Sequence, residues 1–333
     1  MTKPSQALAR DHAAGRWPKP LRDVWSFEKF ADEDIREGRF QRSLSLVAAA
    51  SSLLSGLEVA YEHYRGSYSR RIMYTPVILS GALGTAAIGA FKSKRAARTV
   101  LPIVSWLTLA DCAVGFYFHA RGIQRKPGGW RIPIVNMIMG PPIFAPLLFG
   151  TAAYLGVVAT YLRREGHPDE QRRPLPADAH SWAIRLPGEL KHEKISWKQD
   201  AREGKFQKHM AVATALSAFF SGCEAWYSHY KNNFRYKMQW TPVILAPALM
   251  ISAIAAVRSH KVAHTWLPAM SALAIADGSL GFFYHARGVI RRPGGMKMPL
   301  YNIMYGPPVF APLLFAAAGF LGLLASLLRR EAR

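Results

Sequence analysis

Cysteine is scarce in this chain. Only Cys112 and Cys223 occur in 333 residues, each inside an apolar run. Neither belongs to a CxxC pair, which excludes the common zinc and thiol-redox motifs, and nothing in their placement pairs them as a disulfide. They read as small buried hydrophobes. Acid is also in short supply: 21 Asp and Glu against 43 Lys and Arg give a formal charge of +22. Such an excess raises nucleic-acid binding as a reading. The distribution excludes it, because the bases sit in short clusters between long apolar runs and not on one polar domain. GxSxG, P-loop, GxGxxG and HExxH patterns are missing where they would count. "SGALGTAAIG" (80–89) supplies glycines, but within an apolar run, where no phosphate cradle forms. The opening "MTKPSQALARDHAAGRWPKPLRD" lacks the apolar core of a cleavable signal, so the first span is expected to act as its own insertion signal.

What the chain does have is apolar runs of about 20 residues, enough to cross a hydrocarbon layer as a helix. They come in two sets. Residues 25–165 align with 191–331 at a constant offset of 166, without a gap. "REGRFQR" (36–42) returns as "REGKFQK" (202–208), "TPVIL" (75–79) at 241–245, and "LRRE" (162–165) at 328–331. "GFYFHARGIQRKPGG" (115–129) returns as "GFFYHARGVIRRPGG" (281–295). The expected fold is an all-α integral membrane protein of eight transmembrane helices, arranged as two tandem parallel four-helix repeats. The expected divisions are a polar tail (1–24), repeat one (25–165), a Pro-rich linker (166–190) and repeat two (191–333).

The spans are expected at 43–64, 73–91, 99–120 and 141–162, then at 209–230, 238–257, 265–286 and 307–328. An even number of spans per repeat sets both repeats the same way up, so they are related by an axis along the membrane normal. The linker, the C-terminus and the loop holding Lys92, Lys94, Arg95 and Arg98 share one side and carry more base than the other. The positive-inside rule makes that side cytoplasmic, with both termini there, in a bacterial inner (plasma) membrane. "WRIPIVNMIMGPP" is too apolar for an ordinary loop and too broken for a span. It is expected to form a short interfacial or re-entrant segment, or a hydrophobic loop tucked under the bundle.

Ionisable groups inside a span are costly and are functional candidates by default. Comparing the two copies sorts them. Glu58 matches Glu224, Asp111 matches Asp277, His63 matches His229, and His119 matches His285. Glu62 is matched by Ser228 and is set aside, and the other seven histidines have no histidine opposite. All four matched pairs fall in the half of the membrane away from the termini. Asp111, Gly115 and His119 share a stripe, four residues apart. Glu58 and His63 are five apart, about 140° around an ideal helix, which opposes a single metal held by all four groups. A basic strip follows: Arg121, Arg125, Lys126 and Arg131, matched by Arg287, Arg291, Arg292 and Lys297.

Four functions suit these residues. His63 with His119, and His229 with His285, could each ligate one haem b, with Arg121, Arg125, Arg287 and Arg291 near the propionates. Gly56, Gly222, Gly115 and Gly281 would open a slot for the macrocycle, or simply let helices approach. Alternatively Glu58, His63, Asp111 and His119, with Glu224, His229, Asp277 and His285, form a transition-metal site. Either cofactor implies electron transfer or redox chemistry. The third reading is a transporter or proton relay. The fourth is a structural or assembly subunit of a membrane complex, its polar groups fixing helix contacts and its histidines sitting in an aromatic belt. The expected partners are anionic lipid headgroups at the basic loops and a membrane-complex or redox partner, with no nucleic acid.

Overall fold

A computed structural model of the chain describes residues 34–166 and 199–331. The expectations for the tail and for the linker beyond residue 166 lie outside the described residues. Among those described, the chain is all-helical, and β-structure is limited to one isolated bridge between Lys205 and Arg329. The first half contains α1 (Gln41–Arg65), α2 (Thr75–Lys92), α3 (Lys94–Arg98), α4 (Val100–Gln124), α5 (Pro133–Ile138) and α6 (Ala145–Tyr161). The second contains α7 (Gln207–Lys231), α8 (Thr241–Arg258), α9 (His260–His264), α10 (Trp266–Ile290), α11 (Pro299–Tyr305) and α12 (Ala311–Leu327).

Five stretches are long and apolar enough to cross a membrane: Gln41–Arg65, Arg71–Lys92, Val100–Gln124, Lys237–Arg258 and His260–Ile290. The chain is therefore an integral membrane protein of the all-α class. Helix α7 matches α1 in length, at 25 residues, but carries Lys208, His209, Glu224, His229 and Lys231 and falls short in apolarity. Helices α6 and α12 have 17 residues each, or about 25 Å at 1.5 Å per residue. Span four was expected from Pro141 but its helix begins only at Ala145. Pro142 pushes the residue before it toward extended backbone, and a helix first becomes possible with Pro146 in its opening turn.

In each half the four long helices form a square. Helix α1 packs on α2 and α6, and α4 packs on the same two, so α1 and α4 lie across a diagonal. The second half repeats this with α7, α8, α10 and α12, and the halves join where α7 meets α6 and α12 meets α1. The polarity is that of a bilayer protein. Small residues fill the interior: Ala48, Ala49, Ser52, Ala87, Ser105, Ala153 and Ala253 are buried. Large apolar ones face out, with Ile78 66%, Ile103 62% and Trp266 61% exposed. Without a hydrophobic drive between helices in lipid, close packing of small residues holds them together.

The glycines serve that approach. A Cβ on Gly56 would lie 2.0 Å from Ser80 Oγ, and one on Gly222 2.7 Å from Ala246 Cβ. One on Gly115 would lie 3.2 Å from Pro146, and one on Gly281 2.9 Å from Pro312. Of the two readings of these four glycines, close approach of helices is the one observed, and neighbouring helices fill the space a slot would need. A further line of Gly–Ser contacts runs inside each half, where Gly156 meets Ser105 Oγ and Gly322 meets Ser271 Oγ.

The motifs REGxF and LRRE meet at the end of the bundle where the halves join. Gly38 and Gly204, at φ +70° and +71°, lie back to back, and a Cβ on Gly38 would sit 2.6 Å from Arg202 O. Phe40 stacks on Phe206 with centroids 6.3 Å apart. Arg163 donates to the carbonyls of Arg202 and Glu37. Arg164 donates to Gln41 Oε1 (2.9 Å), Ala90 O (2.9 Å) and Phe91 O (2.6 Å), closing the C-terminus of α2. Glu165 accepts the N–H groups of Arg42 (2.6 Å) and Ser43 (2.8 Å) at the start of α1. Such carboxylates satisfy donors that a helix start leaves unpaired. Arg330 and Glu331 repeat these contacts in the second half. We refer to this network as the collar.

Candidate functional site

The opposite end of each square is its mouth. There α1 and α4 run on while the fourth helix has not begun, because the Pro141–Pro142 break lies at that level. The mouth holds both histidines of each half. His63 and His119 lie near the ends of α1 and α4, on diagonal helices, and His229 and His285 near the ends of α7 and α10.

Three of the four imidazoles are fixed in the same manner. His63 Nδ1 lies 2.6 Å from Met73 O, His119 Nδ1 2.6 Å from Pro142 O, and His285 Nδ1 2.6 Å from Pro308 O. A carbonyl oxygen only accepts, so Nδ1 carries the hydrogen in each, and in the neutral ring Nε2 holds a lone pair. An Nδ1–H bond to backbone is also what orients histidine ligands around metals. Pro142 and Pro308 belong to the broken backbone, so each bond serves a carbonyl freed by the helix break. His229 differs: Gln239 stands where Met73 does, and the ring lies 6.4 Å from that of His285 at 88°. His63 packs edge-on to Tyr68 at 6.1 Å.

The carboxylates divide. Asp111 stays by the histidines, accepting the Thr75 hydroxyl at 2.6 Å, and it lies within electrostatic range of His63. Asp277 accepts the Thr241 hydroxyl in the same manner. Glu58 turns to the seam between halves, towards the backbone of Phe310. Glu224 faces the seam too, within range of Glu62 and Lys231. Rings from both halves line it, with Phe144 stacked 5.1 Å from Phe220 and 6.0 Å from Phe219. The expected quartet is therefore not brought together in either half. Among the described residues, no three His, Cys, Asp or Glu side chains are placed to hold one metal ion. The physical reason is the helical phase: on α1 the turn that aims His63 into the square aims Glu58 away from it.

The basic strip stays outside. Arg121, Arg125, Arg131, Arg287, Arg291 and Lys297 are exposed, and Arg121 Nη1 donates to Tyr117 Oη at 3.2 Å. The loop beneath is held by a residue that sequence reasoning missed. Buried Asn136 donates to Pro127 O (2.9 Å) and Gly129 O (2.8 Å), and Asn302 to Pro293 O (3.2 Å) and Gly295 O (2.9 Å). Gly128, at φ +77°, makes the turn between them possible. Thr75 and Thr241 were missed as well. Both kinds of residue were visible as matched positions, Thr in "TPVIL" and Asn in the stretch before "GPP". Against known protein families, curated proteins and solved structures, the chain has no match.

Proposed function

We propose that this is an eight-span membrane protein built of two parallel four-helix repeats, 25–165 and 191–333, each carrying a redox cofactor in its mouth. His63 and His119 ligate one haem b, and His229 and His285 a second, for electron transfer near one membrane face. A bare transition metal on the same imidazole pairs, completed by water, is the related form of this reading. Both termini lie on the cytoplasmic side of a bacterial inner membrane, and the exposed strips around Arg121, Arg125, Arg287 and Arg291 contact anionic headgroups.

One observation carries the proposal: three of the four imidazoles are oriented through Nδ1, with Nε2 left as a base, and the ring of one of them, His285, stands 6.4 Å from that of His229. An iron held by two such imidazoles would have neutral nitrogen ligands and could take up and release one electron. Diagonal helices of a four-helix bundle supply such a pair from opposite sides.

The test is an absorption spectrum with metal analysis on detergent-purified full-length protein. The expected result is a Soret band and one iron per repeat, with His119→Ala removing about half the absorbance and His119→Ala/His285→Ala all of it. Neither Soret absorbance nor stoichiometric metal would overturn the reading. The second reading is a scaffold subunit without chemistry. It is favoured by the use of the same side chains as ties, notably His119 to Pro142 and His285 to Pro308. There the alanine variants lower stability and change no bound species.

A further inference from the structure

Helix α9, His260–His264, links α8 to α10 at the collar end, far along the helices from both mouths. Its sequence HKVAH stands where the first half has KRAAR, so His260 and His264 replace Lys94 and Arg98. Residues four apart on a helix share a face. Ser259 starts the turn, its Oγ accepting the Val262 N–H at 3.3 Å. The two rings then lie 4.3 Å apart between centroids, tilted by 58°. Their Nε2 atoms are 3.1 Å apart, and both residues are exposed.

We propose that His260 and His264 chelate one divalent transition metal ion through their Nε2 atoms. Metal–nitrogen bonds of about 2.0–2.1 Å at tetrahedral or octahedral angles set adjacent ligand nitrogens roughly 3 Å apart. The pair holds that spacing already, so neither ring needs to change rotamer. In the metal-free pair one Nε2 carries the hydrogen that the other accepts. On binding, that ring takes its Nδ1–H tautomer, and both lone pairs face the ion without net proton release. Water completes the coordination. Imidazole suits Zn²⁺, Ni²⁺ and Cu²⁺, and the general affinity order places Cu²⁺ first.

The first half uses the same position differently. Arg98 donates to Thr160 O and, at 3.0 Å, to Leu162 O, clasping the end of α6. The two copies thus diverge at one point of the collar, from a guanidinium clasp to an imidazole pair. The site shares no residue with either mouth and stands whether or not the mouths bind haem.

The experiment is titration calorimetry of full-length protein made without a polyhistidine tag, stripped with chelator, and titrated with Cu²⁺ and separately with Zn²⁺. Wild-type protein is expected to bind one equivalent that His260→Asn and His264→Asn each weaken at least tenfold, with any Soret absorbance unchanged. His260→Lys/His264→Arg, the pair the first half already carries, keeps the test sound if an asparagine variant folds poorly. Electron paramagnetic resonance of the Cu²⁺ form should show two imidazole nitrogens. Wild-type affinity in the variants, or hyperfine coupling to a single nitrogen, would overturn the proposal.

Discussion

The collar and the mouths lie at opposite ends of the same helices, and both are rich in repeated polar residues. They differ in what those residues have left over. At the collar, Arg164 donates to three acceptors within the protein and Glu165 takes two backbone N–H groups. Their hydrogen-bonding capacity goes into closing the helix ends. At a mouth, an imidazole with two nitrogens gives one to a backbone carbonyl and keeps the other. A repeated polar residue in a membrane protein thus points to architecture when its capacity is used and to a site when some remains.

The strongest way to break the collar is at its tightest backbone contact. Gly38→Ala puts a Cβ 2.6 Å from Arg202 O at a φ of +70°. The left-handed conformation costs an alanine about 1 kcal/mol and overpacking adds roughly 1–3 kcal/mol. We expect a loss of about 3 kcal/mol in detergent unfolding. Gly166→Ala, at φ +74° with no atom of the described residues within 4 Å, should lose only the conformational part, about 1 kcal/mol. Equal losses would show that the contact between the halves is unimportant. Next comes Arg164→Met, which strands buried acceptors on Gln41, Ala90 and Phe91. It should cost about 2 kcal/mol, since each orphaned buried group is worth roughly 1–3 kcal/mol and water recovers some. Arg330→Met should cost less, because its contact to Gln207 is longer, at 3.4 Å.

These ends were unequally legible in the sequence. The apolar runs announced the long helices, but Pro141 was expected to open the last span of the first half, whereas the helix begins at Ala145. The motifs REGxF and LRRE were visible as repeats, but their meeting was not, because it depends on Gly38 of one half touching Gly204 of the other. Glu58 was predicted out of phase with His63, yet its turn towards the backbone of Phe310 in the far half belongs to three-dimensional packing alone. Requiring a match in both copies also had a cost. Glu62 was set aside because Ser228 replaces it, yet it lies within electrostatic range of both Glu58 and Glu224 at the seam. His260 and His264 were passed over by the same filter. The glycines left two readings open in the sequence, because a missing side chain looks the same whether a void or a neighbouring helix takes its place.

Acid should separate the two ends with a smaller effect. Burial pushes the Glu331 carboxyl up, but the His209 imidazole and the backbone N–H groups of Lys208 and His209 more than offset it, holding the group below its ordinary value of 4.5. A depressed folded-state value means that the charged form stabilises the fold. That contribution is complete above the unfolded carboxylate range and is lost as pH falls through the folded value. Stability should therefore drop below about pH 4.5 in the wild type, and Glu331→Gln should show a shallower acid limb. Ser43 stands where His209 does, so the imidazole partner of Glu331 is particular to the second half.

The smallest expected stability change is at the mouth, and it decides between cofactor site and scaffold. His285→Phe removes the hydrogen bond to Pro308 O and keeps the ring volume. A net hydrogen bond is worth about 1 kcal/mol, so unfolding should move less than in Arg164→Met. If Nε2 is a ligand, the same variant loses one of two bound cofactors and half the Soret absorbance, a large change in occupancy beside a small one in stability. If the imidazole is only a tie for the broken backbone, the same hydrogen bond is lost, no bound species changes, and the mouth differs from the collar only in the size of the loss.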